Sequence, residues 1–137
     1  MKNQLTNPVF TFTSQSSLEM FTDILDHQKL LYEASPYVEY GDRTVRVCAT
    51  LKLQTINEIF DSMDNLIDAH EQLDSANVEL DDNLSELQRA MRKDAPIDEQ
   101  VDIMRNIIDA YEEYEGRKEE YDNTLDGLKC ARWYVVE

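Results

Sequence analysis

The stretch from Thr55 to Lys93 constrains the fold of this chain more than any other part of the sequence. Apolar residues recur along it every three or four positions, as on one stripe of a helix. In a heptad numbering, the d positions are Ile59, Leu66, Leu73, Leu80 and Leu87, and the a positions are Ile56, Met63, His70, Asn77, Leu84 and Met91. Nine of these eleven positions are apolar, which is typical of a coiled-coil seam. At ~1.5 Å per residue the helix would be roughly 60 Å long, so it should project and needs a partner along its seam.

A second helical stretch follows directly and can supply that partner. The connection ends in Pro96, which suits the first turn of a new helix. The predicted seam of this second helix is Ile97, Val101, Met104, Ile108 and Tyr111, continuing after a three-residue slip through Tyr114, Lys118, Tyr121, Leu125 and Leu128. Such a slip overwinds a coiled coil locally. Because the connection is so short, the helices 55–93 and 97–126 are predicted to pack antiparallel.

The N-terminal third predicts a small α/β base. We interpret residues 1–8 as a frayed lead-in and the alternating stretch Val9–Thr13 as a strand. Ser16 and Glu19 have the spacing of a capping box, which would open a helix that ends near Ser35, before Pro36.

The remaining segments predict more strands and a second helix start. Residues 37–40 and 44–51, around Gly41-Asp42, predict a β-hairpin, and residues 131–136 predict a closing strand. Thr55 and Glu58 form a second capping-box pattern, and Gly127 is a predicted helix stop.

Together these elements predict an α+β fold in the order β-α-β-β-α-α-β. A small antiparallel sheet with one packed helix would carry a long projecting antiparallel helical hairpin, a coiled-coil arm. The base would comprise residues 1–53 and 130–137, the acidic arm residues 54–129, and the whole would be one structural domain. Phe60 and Ile67 widen the apolar stripe near the root of the arm, so we expect them to contact the base.

The charge of the chain is distributed unevenly. The net charge is −16, and residues 1–53 hold six acidic and five basic residues, so nearly all of the excess lies beyond them. Residues 54–126 contain 22 acidic and six basic residues, and twelve of the acids are aspartates. Over ~60 Å this is one net charge per ~3.7 Å, about half the linear charge density of duplex DNA. Direct nucleic-acid binding needs a cationic surface, so the expected partner is a protein with a basic surface.

The sequence offers little to catalysis. The candidate nucleophiles and bases are Cys48, Cys130, His27 and His70, and nothing in the spacing places two of them together. The three glycines are scattered, so no phosphate-binding loop is predicted, and metal-ligand spacings are absent. We therefore expect a protein that is not an enzyme and uses no metal or cofactor. Two cysteines fit a reducing cytosol, and no apolar run is long enough to span a membrane, so a cytoplasmic location is expected.

Polar residues at the predicted seam suggest how the two helices align. An antiparallel pairing about Ala95 places residue i opposite roughly residue 190 − i, so His70 should lie near Tyr121 and Asn77 near Tyr114. A buried polar side chain needs a hydrogen-bond partner, and a phenol can supply one. We interpret both pairs as structural keys to the register, and a ligand or proton-transfer role for His70 as the alternative.

The charge pattern therefore predicts a non-enzymatic acidic protein-binding module. The hypothesis is a small inhibitor, of a phage or mobile-element type, that mimics nucleic acid and docks its acidic arm on a basic partner surface. The predicted contact residues are Asp61, Asp64, Asp68, Glu71, Asp82, Glu112, Glu113, Glu119 and Glu120. Two alternatives stay open. The charge can be a coat that keeps the arm soluble, or the chain can be an assembly or chaperone-like adaptor that acts through self-association, such as a homodimer, or through apolar contacts.

Overall fold

The fold is α+β, as the sequence predicts, with two small antiparallel sheets and a long helical hairpin. The structure is a computed structural model that describes residues 3–35 and 42–133. Within them the elements are β1 Gln4–Thr6, β2 Val9–Phe12, α1 Gln15–His27, β3 Tyr32–Ala34, β4 Arg43–Val47, β5 Thr50–Lys52, α2 Leu53–Arg92 and α3 Ile97–Cys130. The chain divides into two compact units, one of Met1–Ile67 with Leu125–Glu137 and one of Asp68–Thr124.

The first unit has two sheets where the sequence predicted one. The central strand β4 pairs with β2 and β3, and β1 pairs with β5. The predicted strand 44–51 breaks at Cys48 and Ala49, so its two halves belong to different sheets. The frayed lead-in was also a wrong prediction, because Gln4–Thr6 forms β1. Within residues 3–35 and 42–133 the order of elements is β-β-α-β-β-β-α-α, which differs from the predicted order.

The core of the first unit lies between α1 and the three-stranded sheet. The alternation predicted for β2 is confirmed, since Phe10 and Phe12 are buried. Phe21 of α1 is fully buried, and its ring centroid lies 5.1 Å from each of those two phenylalanine rings and 6.0 Å from that of Trp133. Burying each such side chain stabilises the fold by about 1.5–3 kcal/mol. The ring centroid of Phe60 lies 5.3 Å from that of Phe10, so Phe60 makes the contact that the sequence predicted.

Helix α1 is shorter than predicted at its C-terminal end. Its N-cap is Ser14, whose side chain accepts a hydrogen bond from the Ser17 amide, so the predicted capping box begins two residues too late. Helix α1 ends at His27 because Lys29 adopts a left-handed conformation with φ 62°. The Leu30 amide then donates to the Leu25 carbonyl at 2.9 Å, which completes a Schellman motif. The predicted end near Ser35 is wrong, since β3 occupies Tyr32–Ala34.

The long helices α2 and α3 form the predicted hairpin, although their ends differ. Helix α2 starts at Leu53, so the Thr55 capping box lies inside it, and α3 continues through Gly127 to Cys130. A Cβ at Gly127 would meet no other atom within 4 Å, and a glycine in a helix costs only about 1 kcal/mol relative to alanine. The described residues 131–133 form no strand, and residues 134–137 and 36–41 of the predicted strands and turn lie outside the described residues.

The turn between α2 and α3 is a second Schellman motif. Asp94 takes the left-handed position, with φ 49°. The Asp94 amide donates to the Met91 carbonyl at 3.2 Å, and the Ala95 amide donates to the Ala90 carbonyl at 2.9 Å. The motif satisfies two of the carbonyls that the end of α2 leaves free, and it reverses the chain at once.

The hairpin seam within the second unit matches the predicted seam at some positions and is displaced from it by one residue at others. Leu73, Leu80 and Leu87 lie in it as predicted, but the flanking α2 positions are the buried alanines Ala69, Ala76 and Ala90. Asn77 is exposed, so its predicted burial against Tyr114 is wrong. The register itself is confirmed, because the rings of His70 and Tyr121 lie 5.5 Å apart.

On α3, the least exposed residues recur with spacings of four and three and without the predicted slip. They are Ile103, Ile107, Ala110, Tyr114, Arg117 and Tyr121. The apolar residues that were predicted to fill the seam here lie outside it. With two α2 residues, they form a set that we call the apolar face: Leu84, Met91, Ile97, Val101, Met104, Ile108 and Tyr111.

Candidate functional site

One face of the hairpin in the second unit carries an acidic groove that runs along the line between α2 and α3. It consists of two adjoining depressions that share Glu79 and Glu113. Its lining residues are Asp68, Glu71, Gln72, Ser75, Ala76, Glu79, Asn83, Asn106, Asp109, Ala110, Glu113 and Arg117. Five of these are carboxylates and one is a cation, so the groove has a strong negative potential.

The helical register explains why these residues share a face. Glu79 precedes the seam residue Leu80 by one position, and Glu113 precedes Tyr114 in the same way. Successive residues of an α-helix are rotated by about 100°, so the position before a seam residue lies on one flank of the seam. Since the two helices face each other and run in opposite directions, these flanks fall on the same side of the hairpin.

Arg117 is held by polar side chains on both helices. Its guanidinium donates to Gln72 Oε1 across the seam, and it pairs with the carboxylates of Glu113 at 2.9 Å and Glu120 at 3.4 Å. The hydrogen bond that the guanidinium donates to the Glu113 carboxylate is the main reason why the pKa of Arg117 is raised above its ordinary value. The cation remains charged and offsets part of the groove's negative charge at one end, while Glu79 and Asp109 are left without a cation among the lining residues.

The structure separates the nine predicted contact residues into groups. Asp68, Glu71 and Glu113 line the acidic groove, and Glu120 contacts its arginine. The exposed residues Asp82, Glu112 and Glu119 do not line it, and Asp61 and Asp64 are exposed residues of the first unit.

Two groove carboxylates, Glu79 and Asp109, were missed by the sequence reasoning. The predicted seam shared Leu73, Leu80 and Leu87 with the observed one, but its other α2 positions and most of its α3 positions were displaced by one residue. The signal that could have found them was the spacing of Ala69, Ala76 and Ala90, which follow one another at intervals of seven and fourteen residues.

The two histidines considered for catalysis contact aspartates one turn away in their own helices. His70 Nδ1 lies 3.5 Å from Asp74 Oδ2 in the next turn, and His27 Nδ1 lies 2.9 Å from the Asp23 carbonyl oxygen. Cys48 and Cys130 are exposed free thiols. Within residues 3–35 and 42–133, no cluster of three or more His, Cys, Asp or Glu side chains is arranged to hold a metal ion.

A membrane-spanning helix is not found among the described residues either, because none of their helices combines the length and the apolar content that a span requires. The comparisons with known proteins returned no match to a family model, a curated protein or a solved structure.

Proposed function

We propose that this chain is a non-catalytic binding module whose acidic groove binds a basic surface of a partner protein. The observation that carries the proposal is the convergence of five carboxylates, Asp68, Glu71, Glu79, Asp109 and Glu113, along one face of a regular helical hairpin. Carboxylates fixed on paired helices keep their spacing without a partner, so binding would require little reordering.

The partner surface that fits this groove resembles one that binds a nucleic-acid backbone. Such surfaces present lysine and arginine side chains at intervals that match phosphates. A partner occupied by the acidic groove would lose access to nucleic acid, so we propose that the module acts as an inhibitor. Steering by the charge would raise the association rate and make it strongly dependent on salt.

The test compares two variants with the same change in charge. The groove variant carries Asp68→Asn, Glu71→Gln, Glu79→Gln, Asp109→Asn and Glu113→Gln. The control variant carries Asp61→Asn, Asp64→Asn, Asp82→Asn, Glu112→Gln and Glu119→Gln, all at exposed positions outside the groove. Each variant has five fewer negative charges than the native chain, whose net charge is −16. Circular dichroism would confirm that both keep the helical fold.

The probe is a fluorescent arginine-rich peptide bound to duplex DNA, and the measurement is its transfer from DNA to the protein. The native chain should release the peptide from DNA, and raising the salt should weaken this activity. The groove variant should bind the peptide at least about tenfold more weakly, while the control variant should lose far less. Equal losses in both variants would show a diffuse charge effect. No loss in either variant would leave the acidic surface as a solubility coat.

A further inference from the structure

We propose that the apolar face of the hairpin binds the same face of a second copy of this chain, which forms a two-fold symmetric dimer. This inference does not depend on the proposed function, because it concerns the opposite side of the hairpin. The apolar face combines a stripe on α3, from Ile97 to Tyr111, with Leu84 and Met91 of α2. Its seven residues are between 37% and 76% exposed, although all are large and apolar.

The register places both stripes on one side of the hairpin. Met104 follows the seam residue Ile103 by one position, Ile108 follows Ile107, and Met91 follows Ala90. The position after a seam residue lies on the flank opposite to the position before it. The groove carboxylates Asp68, Glu79, Asp109 and Glu113 occupy positions before seam residues, so the apolar face and the acidic groove lie on opposite sides of the second unit.

The size of the apolar face matches what a dimer interface needs. Summed over its seven residues, the exposed area is equivalent to more than three fully exposed residues. At about 200 Å² for each large apolar residue, this is an area of roughly 700 Å². The largest apolar patch on a typical monomer covers about 300–600 Å². A standard interface buries about 800 Å² on each partner. Burying this face against an identical face would therefore remove an unusually large patch from water.

The charge distribution favours a second copy over a basic partner at this site. Residues 86–105 hold five acidic and four basic residues, whereas the rest of the second unit, 68–85 and 106–124, holds thirteen acidic and two basic residues. A basic partner would be drawn to the latter segments. The nearly neutral end of the hairpin is the part of this acidic chain that can approach a copy of itself with little repulsion.

An antiparallel arrangement of the two copies would also keep their acidic segments apart. If the hairpins overlap only along the apolar face, their acidic segments extend in opposite directions. Counted from the turn at Asp94, Met104 lies midway along the stripe, so the two-fold axis passes beside it and the two copies of Met104 meet.

The first test is the oligomeric state measured by light scattering and sedimentation. The native chain should be a dimer, and Ile108→Glu should raise the dissociation constant about 100-fold or more, because a carboxylate would be buried without a partner. The control Asn106→Glu adds the same charge on the groove side and should stay dimeric. Added salt should tighten the dimer, since it screens repulsion between two chains of charge −16.

The second test does not depend on a destabilising substitution. In a background with Cys48→Ser and Cys130→Ser, Met104→Cys should form a disulfide-linked dimer on mild oxidation, and Asp109→Cys, on the groove side, should not. A native chain that is monomeric at all concentrations would overturn the proposal. So would a dimer that is insensitive to Ile108→Glu, or equal cross-linking at both cysteine positions. A monomer that binds an apolar dye through Ile108 would assign the face to a different partner.

Discussion

Two neighbouring residues of α2 test the hairpin packing most directly. Ala76 is only 5% exposed and lies in the seam, while the next residue, Asn77, is exposed. A simple heptad numbering predicts the reverse, with Asn77 inside. Replacing each residue by leucine therefore distinguishes the two arrangements. In the observed seam, a leucine at position 76 lies between the helices and a leucine at position 77 lies on the surface, whereas the simple heptad numbering predicts the opposite.

The expected magnitudes follow from these positions. Ala76→Leu adds three carbon atoms to a seam where the alanine lets the helices approach, and such overpacking costs about 1–3 kcal/mol of unfolding free energy. Asn77→Leu changes a surface position of a helix, where effects stay within about 0.5 kcal/mol, and the better helix propensity of leucine favours a small gain. The two variants should differ by at least about 1 kcal/mol, or about 4 °C in melting temperature for a chain of this size.

Urea unfolding followed by circular dichroism at the helical band is the appropriate assay, with thermal melting as an independent check. Equal slopes against urea would show that the variants change stability rather than the unfolded state. If Asn77→Leu stabilised the protein strongly while Ala76→Leu had no effect, the alanine seam would be refuted. The apolar face would then lie inside the hairpin, and the dimer proposal would be overturned with it.

Two further predictions concern the first unit and the turns. Gln28→Ala should lower the unfolding free energy by about 1–3 kcal/mol, measured by urea unfolding, because the Gln28 amide donates to the Leu128 carbonyl at 2.8 Å and accepts from the Trp133 amide at 3.1 Å. The exposed Gln88→Ala is its control, and an equal effect of both would refute a structural role for the Gln28 bridge. Lys29→Gly and Asp94→Gly should each raise the melting temperature, corresponding to as much as about 1 kcal/mol, since both residues hold the left-handed position of a Schellman motif. A fall in melting temperature would show that the native side chains stabilise the fold by more than the left-handed backbone conformation destabilises it.

The long helices were predictable because their apolar periodicity extends over many turns and their connection is short. The identity of the seam was not, because two stripes on α3 compete for it. One contains Ile103, Ile107 and Ala110, and the other contains Ile97, Val101, Met104, Ile108 and Tyr111. The second stripe is richer in large apolar residues, so a count of hydrophobic positions selects it. The structure places the first in the seam, with Ile103 and Ala110 buried, where it faces the alanines of α2 and allows close contact.

The short elements of the first unit were less predictable for a different reason. Strands β1, β3 and β5 have three residues each, too few for an alternating pattern to stand out. Their positions depend on pairing with distant strands, such as Leu5 with Leu51. The acidic character of the candidate site was evident from composition, whereas its location required the correct register of α2 and α3.

The two proposed surfaces have opposite physical requirements, and their placement on opposite sides of one hairpin lets both operate. In these proposals the acidic groove would attract a basic partner most strongly at low salt, while the apolar face would associate most strongly when salt screens the repulsion between copies. Because Glu79 and Glu113 flank the seam on the side away from Met104 and Ile108, a dimer formed through the apolar face leaves both grooves open to solvent. Such a dimer would present two acidic grooves on its outer sides. A partner with repeated basic surfaces could then bind both, and the second contact would form at a raised effective concentration.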